Sequence, residues 1–205
     1  MHQTELKSRL KSLYNPSARE ISIVDVPPLN FLMVDGAGNP NNSEEYQQAV
    51  QALYTMSYTL KFVLKKEQGA NYSVMPLEGL LWAPDMHEFS AEHKERWLWT
   101  MMIAQPEAVT PAAVERALEE VTRKKPSPAL AKLRLEEYHE GPAAQIMYIG
   151  PYADEGPTIA RLHDFIHEHG YSFDGRVHKH HEIYMGDPRR ASPEKLRTII
   201  RQSFN

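Results

Sequence analysis

The 205-residue chain contains no cysteine. That absence excludes disulfides, thiol nucleophiles and cysteine-based zinc sites together, and it fits a reducing compartment. Long apolar runs are missing as well: none approaches the roughly 20 residues that cross a bilayer. The opening residues, Met1-His-Gln-Thr-Glu-Leu-Lys7, lack the apolar stretch of a secretory signal. A cytoplasmic protein with no membrane association is the expectation. Charge of one sign is scarce, since the net charge is only -4 with acids and bases interspersed. This argues against direct nucleic-acid binding. The short basic clusters, Arg123-Lys124-Lys125 and Arg189-Arg190 with Arg197 and Arg201, read as helix-end charges that complement the macrodipole. No phosphate-cradling lysine follows the glycines of Asp35-Gly-Ala-Gly-Asn39, and no Gly-x-Ser-x-Gly elbow occurs.

What is present is a regular alternation of elements. Ile21 to Val26 reads as a strand broken by Pro27-Pro28. Asn30 to Val34 reads as a buried strand closed by the turn Asp35 to Pro40. A short amphipathic helix over Leu6, Leu10, Leu13 and Tyr14, ended before Pro16, precedes them. Ser43 caps a helix whose apolar positions, Tyr46 to Leu64, follow the helical period to about Lys66. Strand-like runs follow at Tyr72 to Trp82 and Arg96 to Ala104, joined by a polar link, Ala83 to Glu95. Thr110-Pro111 opens a second helix to about Arg123. Lys132 to His139 and Ala143 to Ile149 read as strands. A third helix runs to about His169 and stops at Gly170. The segment after Ser192-Pro193 reads as a closing helical turn.

Phe31 to Gly38, then helix and strands, answers to Gln145 to Tyr152, then helix and strand. This weak repeat predicts an α+β chain built from two strand–helix–strand–strand units, about 20–106 and 130–190. An antiparallel sheet would carry helices on one face and a ligand groove on the other, about a pseudo-twofold axis.

The last strand holds the most chemistry. In Val177-His-Lys-His-His-Glu-Ile-Tyr-Met185, Glu182 and Tyr184 share one face by alternation, with Ile183 and Met185 on the other. A carboxylate in a partly apolar groove binds cationic or polar ligands, or transfers protons; the plainer reading is a solvated face. Trp82, Trp97, Trp99, Tyr148 and Tyr152 fit a groove wall that stacks on planar ligands, and the tryptophans fit the core equally. His163 and His167 share a helix face, and His178, His180 and His181 sit on the last strand. Hydrogen-bonded or solvated histidines are the expectation rather than a metal site.

The blocks Val24 to Pro40, Leu77-Glu-Gly-Leu-Leu-Trp82, Trp97 to Pro106, Gly150-Pro-Tyr152 and His181-Glu-Ile-Tyr184 resemble the GyrI-like small-molecule-binding family. They most resemble its stand-alone members, over about Leu6 to Arg201. The resemblance implies a groove for a small aromatic or planar, often cationic compound, with no metal and no cofactor. It further implies Glu182 as the groove glutamate and Glu155 as the acid following Gly-Pro-Tyr. Some such members hydrolyse the cyclopropane ring of DNA-alkylating natural products. Others sense drugs within transcription regulators or protect gyrase. No DNA-binding domain accompanies the blocks, which disfavours the regulator role. Placed at a helix start, Glu155 would stay charged. Desolvated on its strand, Glu182 would tend to neutrality.

Overall fold

The computed structural model describes residue 6 and residues 10–69 and 71–205. The expected N-terminal helix lies partly outside them, and Leu10 to Tyr14 form hydrogen-bonded turns. Eight strands make one antiparallel sheet: β1 (Ser22–Val26), β2 (Leu29–Ala37), β3 (Leu77–Trp82), β4 (Leu98–Gln105), β5 (Arg134–Tyr138), β6 (Gly141–Ile149), β7 (His180–Tyr184) and β8 (Arg197–Ser203). Among the described residues, three long helices accompany it: α1 (Glu44–Gln68), α2 (Pro111–Lys124) and α3 (Gly156–Glu168).

The helix boundaries follow local chemistry. The Ser43 side chain accepts from the Tyr46 amide, and Gly69 ends α1 in the left-handed region at φ 66°. Thr110 and Pro111 start α2 in the expected way. Glu155 occupies the cap position of α3, yet its carboxyl makes no capping hydrogen bond. That side chain is left free for another partner.

The sheet order is β1-β6-β8-β7-β3-β4-β2-β5. The order β2–α1–β3–β4 recurs along the chain as β6–α3–β7–β8, and the two sets meet where β7 pairs with β3. The edge strands are exchanged: β1 leads into β2 but pairs with β6, while β5 leads into β6 but pairs with β2. The sequence expectation of a duplicated strand–helix–strand–strand unit therefore holds, with one correction. The second unit does not end near residue 190. The turn at Pro193–Lys195 is a single 3-10 turn that leads into β8, a strand interior to the sheet. Strand β3 is also shorter than expected, since regular pairing begins only at Leu77.

Register assigns the faces. Gly79 pairs with Glu182, Leu81 with His180, and Trp99 with Leu81. Directly paired residues share a face, so these residues lie together with Tyr184, Ile200 and Ile146. This is the side on which the helices pack. Leu162 and Ile166 of α3 join Ile146 and Ile200 in one apolar cluster. Ser57 of α1 accepts a hydrogen bond from Gln105 of β4. The Glu182 side is thus the helix side, and the cleft lies between α1 and α3, not on the opposite face as expected from the sequence. The reason is that α1 covers β2 and β4 while α3 covers β6 and β8. The central strands β7 and β3 lie between the two.

Candidate functional site

Glu182 sits at the centre of this uncovered strip. Its Oε1 lies 2.9 Å from His180 Nε2, and its Oε2 accepts from the Tyr184 hydroxyl at 2.8 Å. All three residues alternate along one face of β7. Gly79, paired with Glu182 across the β3 junction, makes room here. A Cβ at Gly79 would come within 3.1 Å of Met101 Sδ and 3.5 Å of the Tyr184 hydroxyl. From the start of α3, Glu155 reaches over and brings its carboxyl beside that of Glu182, close enough for the two to influence each other's proton. From the start of α1, Tyr46 stands close enough to Tyr184 and Glu182 for its hydroxyl to feel both. Tyr152 stands edge-on to Tyr184 with centroids 5.8 Å apart.

Two carboxyl groups side by side in a buried site cannot both stay charged. Burial pushes Glu155 up, and the neighbouring Glu182 carboxylate pushes it further, to about 9. Burial would also raise Glu182, but the hydrogen bonds from His180 and Tyr184 outweigh it and lower its pKa. The asymmetry is geometric: Glu182 has two donors, His180 and Tyr184, whereas the second oxygen of Glu155 has no partner. The proton therefore resides on Glu155. This reverses the sequence expectation for both groups. The α3 amides do not cap Glu155, and the desolvation of Glu182 is offset by donors.

Of the expected aromatic residues, Tyr152 and Tyr184 line the pair directly. Tyr148 lies at the rim, its hydroxyl bonded to the Pro151 carbonyl at 2.9 Å. Trp97 borders the site through Phe89: their rings are 4.7 Å apart, and Phe89 is 5.9 Å from His180. Trp99 is fully buried beneath the site, edge-on to Tyr46, so it is floor and not wall. Trp82 falls outside altogether. It projects from the opposite face, as its pairing with Leu98 requires, and Lys179 Nζ stands 4.0 Å from its ring centroid.

Four contributors lay outside the expected set. His180 and Tyr46 are two, and Phe89 and Lys94 come from the link between β3 and β4. Lys94 Nζ lies 5.0 Å from the Trp97 ring centroid and counters part of the rise in Glu155. A sequence signal existed for His180, which stands two residues before Glu182 on the same strand face. Glu182 is buried, while Glu155 and Tyr152 are half-buried and mark the way in. Two surface depressions lie elsewhere, one along α3 beside Arg161 and one beside Leu13. Among the described residues, no cluster of three or more metal-ligating side chains occurs.

The residues 19–202 match the model of the GyrI-like small molecule binding domain. The chain belongs to the GyrI-like family. Its solved relatives include an uncharacterized conserved protein from Listeria innocua, 38% identical, with a TM-score of 0.91 over 99% of this chain and 100% of that one. Two further Listeria innocua structures, each called a hydrolase, are 37% identical. They cover 99% and 100% of this chain and all of their own, with TM-scores of 0.85 and 0.87. A comparison with curated proteins finds no match. Among the described residues, no helix is long and apolar enough to cross a membrane.

Proposed function

We propose that this GyrI-like protein binds a small planar compound against Tyr152, Tyr184, Phe89 and Trp97 and hydrolyses an activated cyclopropane ring in it. What supports the reading is the adjacent carboxyl pair Glu155–Glu182 between α1 and α3, with Glu155 pushed up and Glu182 held down. Paired carboxyls held in opposite protonation states supply an acid and a base at one pH. Relatives called hydrolases that match the whole chain support the same class.

The oxygen of water bonds to one ring carbon while the strained carbon–carbon bond breaks. Glu182 takes the proton from that water. The electron pair of the broken bond passes to the electron-accepting group of the ligand, which receives the proton of Glu155. A proton then returns from Glu182 to the adjacent Glu155. The product is the ligand plus one water. No external cofactor is needed.

A second reading follows from the charge of Glu182. A fixed anion ringed by tyrosines binds a planar cation without chemistry. Incubating a cyclopropane-bearing alkylating agent with the protein, with product analysis by mass spectrometry, separates the two. A product heavier by one water, lost in Glu155→Gln and Glu182→Gln, supports hydrolysis. Stoichiometric capture of unchanged compound supports sequestration or sensing.

A further inference from the structure

His180 is 4% exposed, and its imidazole is fixed from several sides. Nε2 is 2.9 Å from Glu182 Oε1. Phe89 packs against the ring at 5.9 Å. Gln202, its cross-strand partner on β8, is itself held by the carbonyls of His178 and Ser203. His163 of α3 lies near enough for the two rings to feel each other's charge. The remaining nitrogen, Nδ1, is buried with no hydrogen-bond partner. A proton placed there would be a buried donor without an acceptor, which is costly. Nε2 is therefore the ring nitrogen that donates, and it is directed at Glu182.

We propose that His180 is the positioning residue of the site: its Nε2 proton fixes the Glu182 carboxylate and keeps it ionised beside the proton of Glu155. The proposal deepens the acid–base reading and rests on it for its catalytic consequence. Together with the Tyr184 hydroxyl, His180 holds one donor on each oxygen of Glu182. The carboxylate plane is thereby set, and Glu155 carries the one mobile proton of the pair. The groups that face this assembly are Tyr184 on β7, Glu155 and Tyr152 ahead of α3, His163 on α3, Tyr46 on α1, and Lys94 in the link before β4, which faces Glu155. Burial holds His163 down to about 4, so it stays neutral above that pH.

The test is carbon NMR titration of carboxyl-labelled glutamate, with the Glu182 signal assigned by its loss in Glu182→Gln. Wild type is compared with His180→Gln, which retains a donor of similar reach, and with His180→Leu and His180→Ala, which have no donor. Circular dichroism checks that each variant folds, and either donor-less variant suffices. In His180→Leu or His180→Ala the Glu182 midpoint should rise by about one unit or more, since each hydrogen bond to the ionised form is worth roughly that. His180→Gln should return it to the wild-type position. A midpoint unchanged in both donor-less variants overturns the proposal. Turnover measured on the same samples keeps the two claims apart. A shifted midpoint without wild-type turnover leaves His180 as the positioning group and removes hydrolysis. Wild-type turnover with an unshifted midpoint does the reverse.

Discussion

His181 Nδ1 lies 3.0 Å from both carboxylate oxygens of Glu140, on the opposite side of β7 from Glu182. His181 Nε2 is 2.9 Å from Glu78 Oε2, whose other oxygen accepts from Tyr14 at 2.5 Å. Arg201 completes the set, donating to Glu140, to Gln145 and to the Leu13 carbonyl. Two carboxylates, an imidazolium and a guanidinium thus tie β3, β6, β7, β8 and the Leu10–Tyr14 segment together directly beneath the site. With carboxylates at both ring nitrogens, His181 is doubly protonated.

The network makes stability depend on pH. Burial alone would lower His181, but Glu140 and Glu78 raise it from 6.5 to about 9. A raised base stabilises fully below its unfolded value, and the contribution is lost as pH rises through about 9. Burial would raise Glu140, but His181 and Arg201 bring it from 4.5 to about 2. That contribution is present above 4.5 and is lost as pH falls through about 2. Urea denaturation across pH should find the joint contribution greatest between 4.5 and 6.5, with His181→Gln removing the decline from 6.5 to 9. Because it strands buried carboxylates, that variant should cost about 3–5 kcal/mol.

The charge states in the cleft set a pH profile for turnover. Glu155 must hold its proton, so the rate should fall as pH rises through about 9. Glu182 must be ionised, so the acid limb should lie below 4.5. Removing either carboxyl should reduce turnover by roughly a hundredfold or more. A single limb near 4.5, with the rate rising above it and no alkaline fall, would mean that Glu155 does not act as the acid.

Two tryptophans that look alike in sequence should behave differently. Trp97 packs on Phe89 beside His180, whereas Trp82 lies under Lys179 on the other face. Trp97→Leu should weaken binding of a planar ligand by about three- to tenfold, the value of a lost aromatic stack. Trp82→Leu should leave affinity unchanged. Titration of tyrosine and ligand fluorescence measures both.

Gly36 is a packing requirement rather than a turn. A Cβ there would overlap the six-membered ring of Trp99, the buried floor of the site. Gly36→Ala should destabilise by about 1–3 kcal/mol in thermal or urea denaturation, as overpacking does.

Much of this was legible in the sequence because alternation and caps are local. Ser43, Thr110-Pro111 and the β7 pattern gave two helix starts and the face carrying Glu182. Strand β8 was not legible, because Ser192-Pro193-Glu-Lys195 reads as a helix start and Arg201 is charged at an inward position. Acceptors distant in sequence, Glu140, Gln145 and the Leu13 carbonyl, make that position tolerable. The protonation order of Glu155 and Glu182 was hidden for a similar reason: it depends on donors brought in by β7 and on a cap bond that α3 does not make. Phe89 and Lys94 came from a link whose polar composition suggested only a connector.

The central claim is that Glu155 and Glu182 together add water to a strained ring. Turnover of a cyclopropane-bearing compound in heavy-oxygen water tests it most directly. The account expects one labelled oxygen per product molecule with wild type and none above background with Glu155→Gln or Glu182→Gln. Unlabelled, unchanged compound bound one-to-one by wild type and both variants would contradict it.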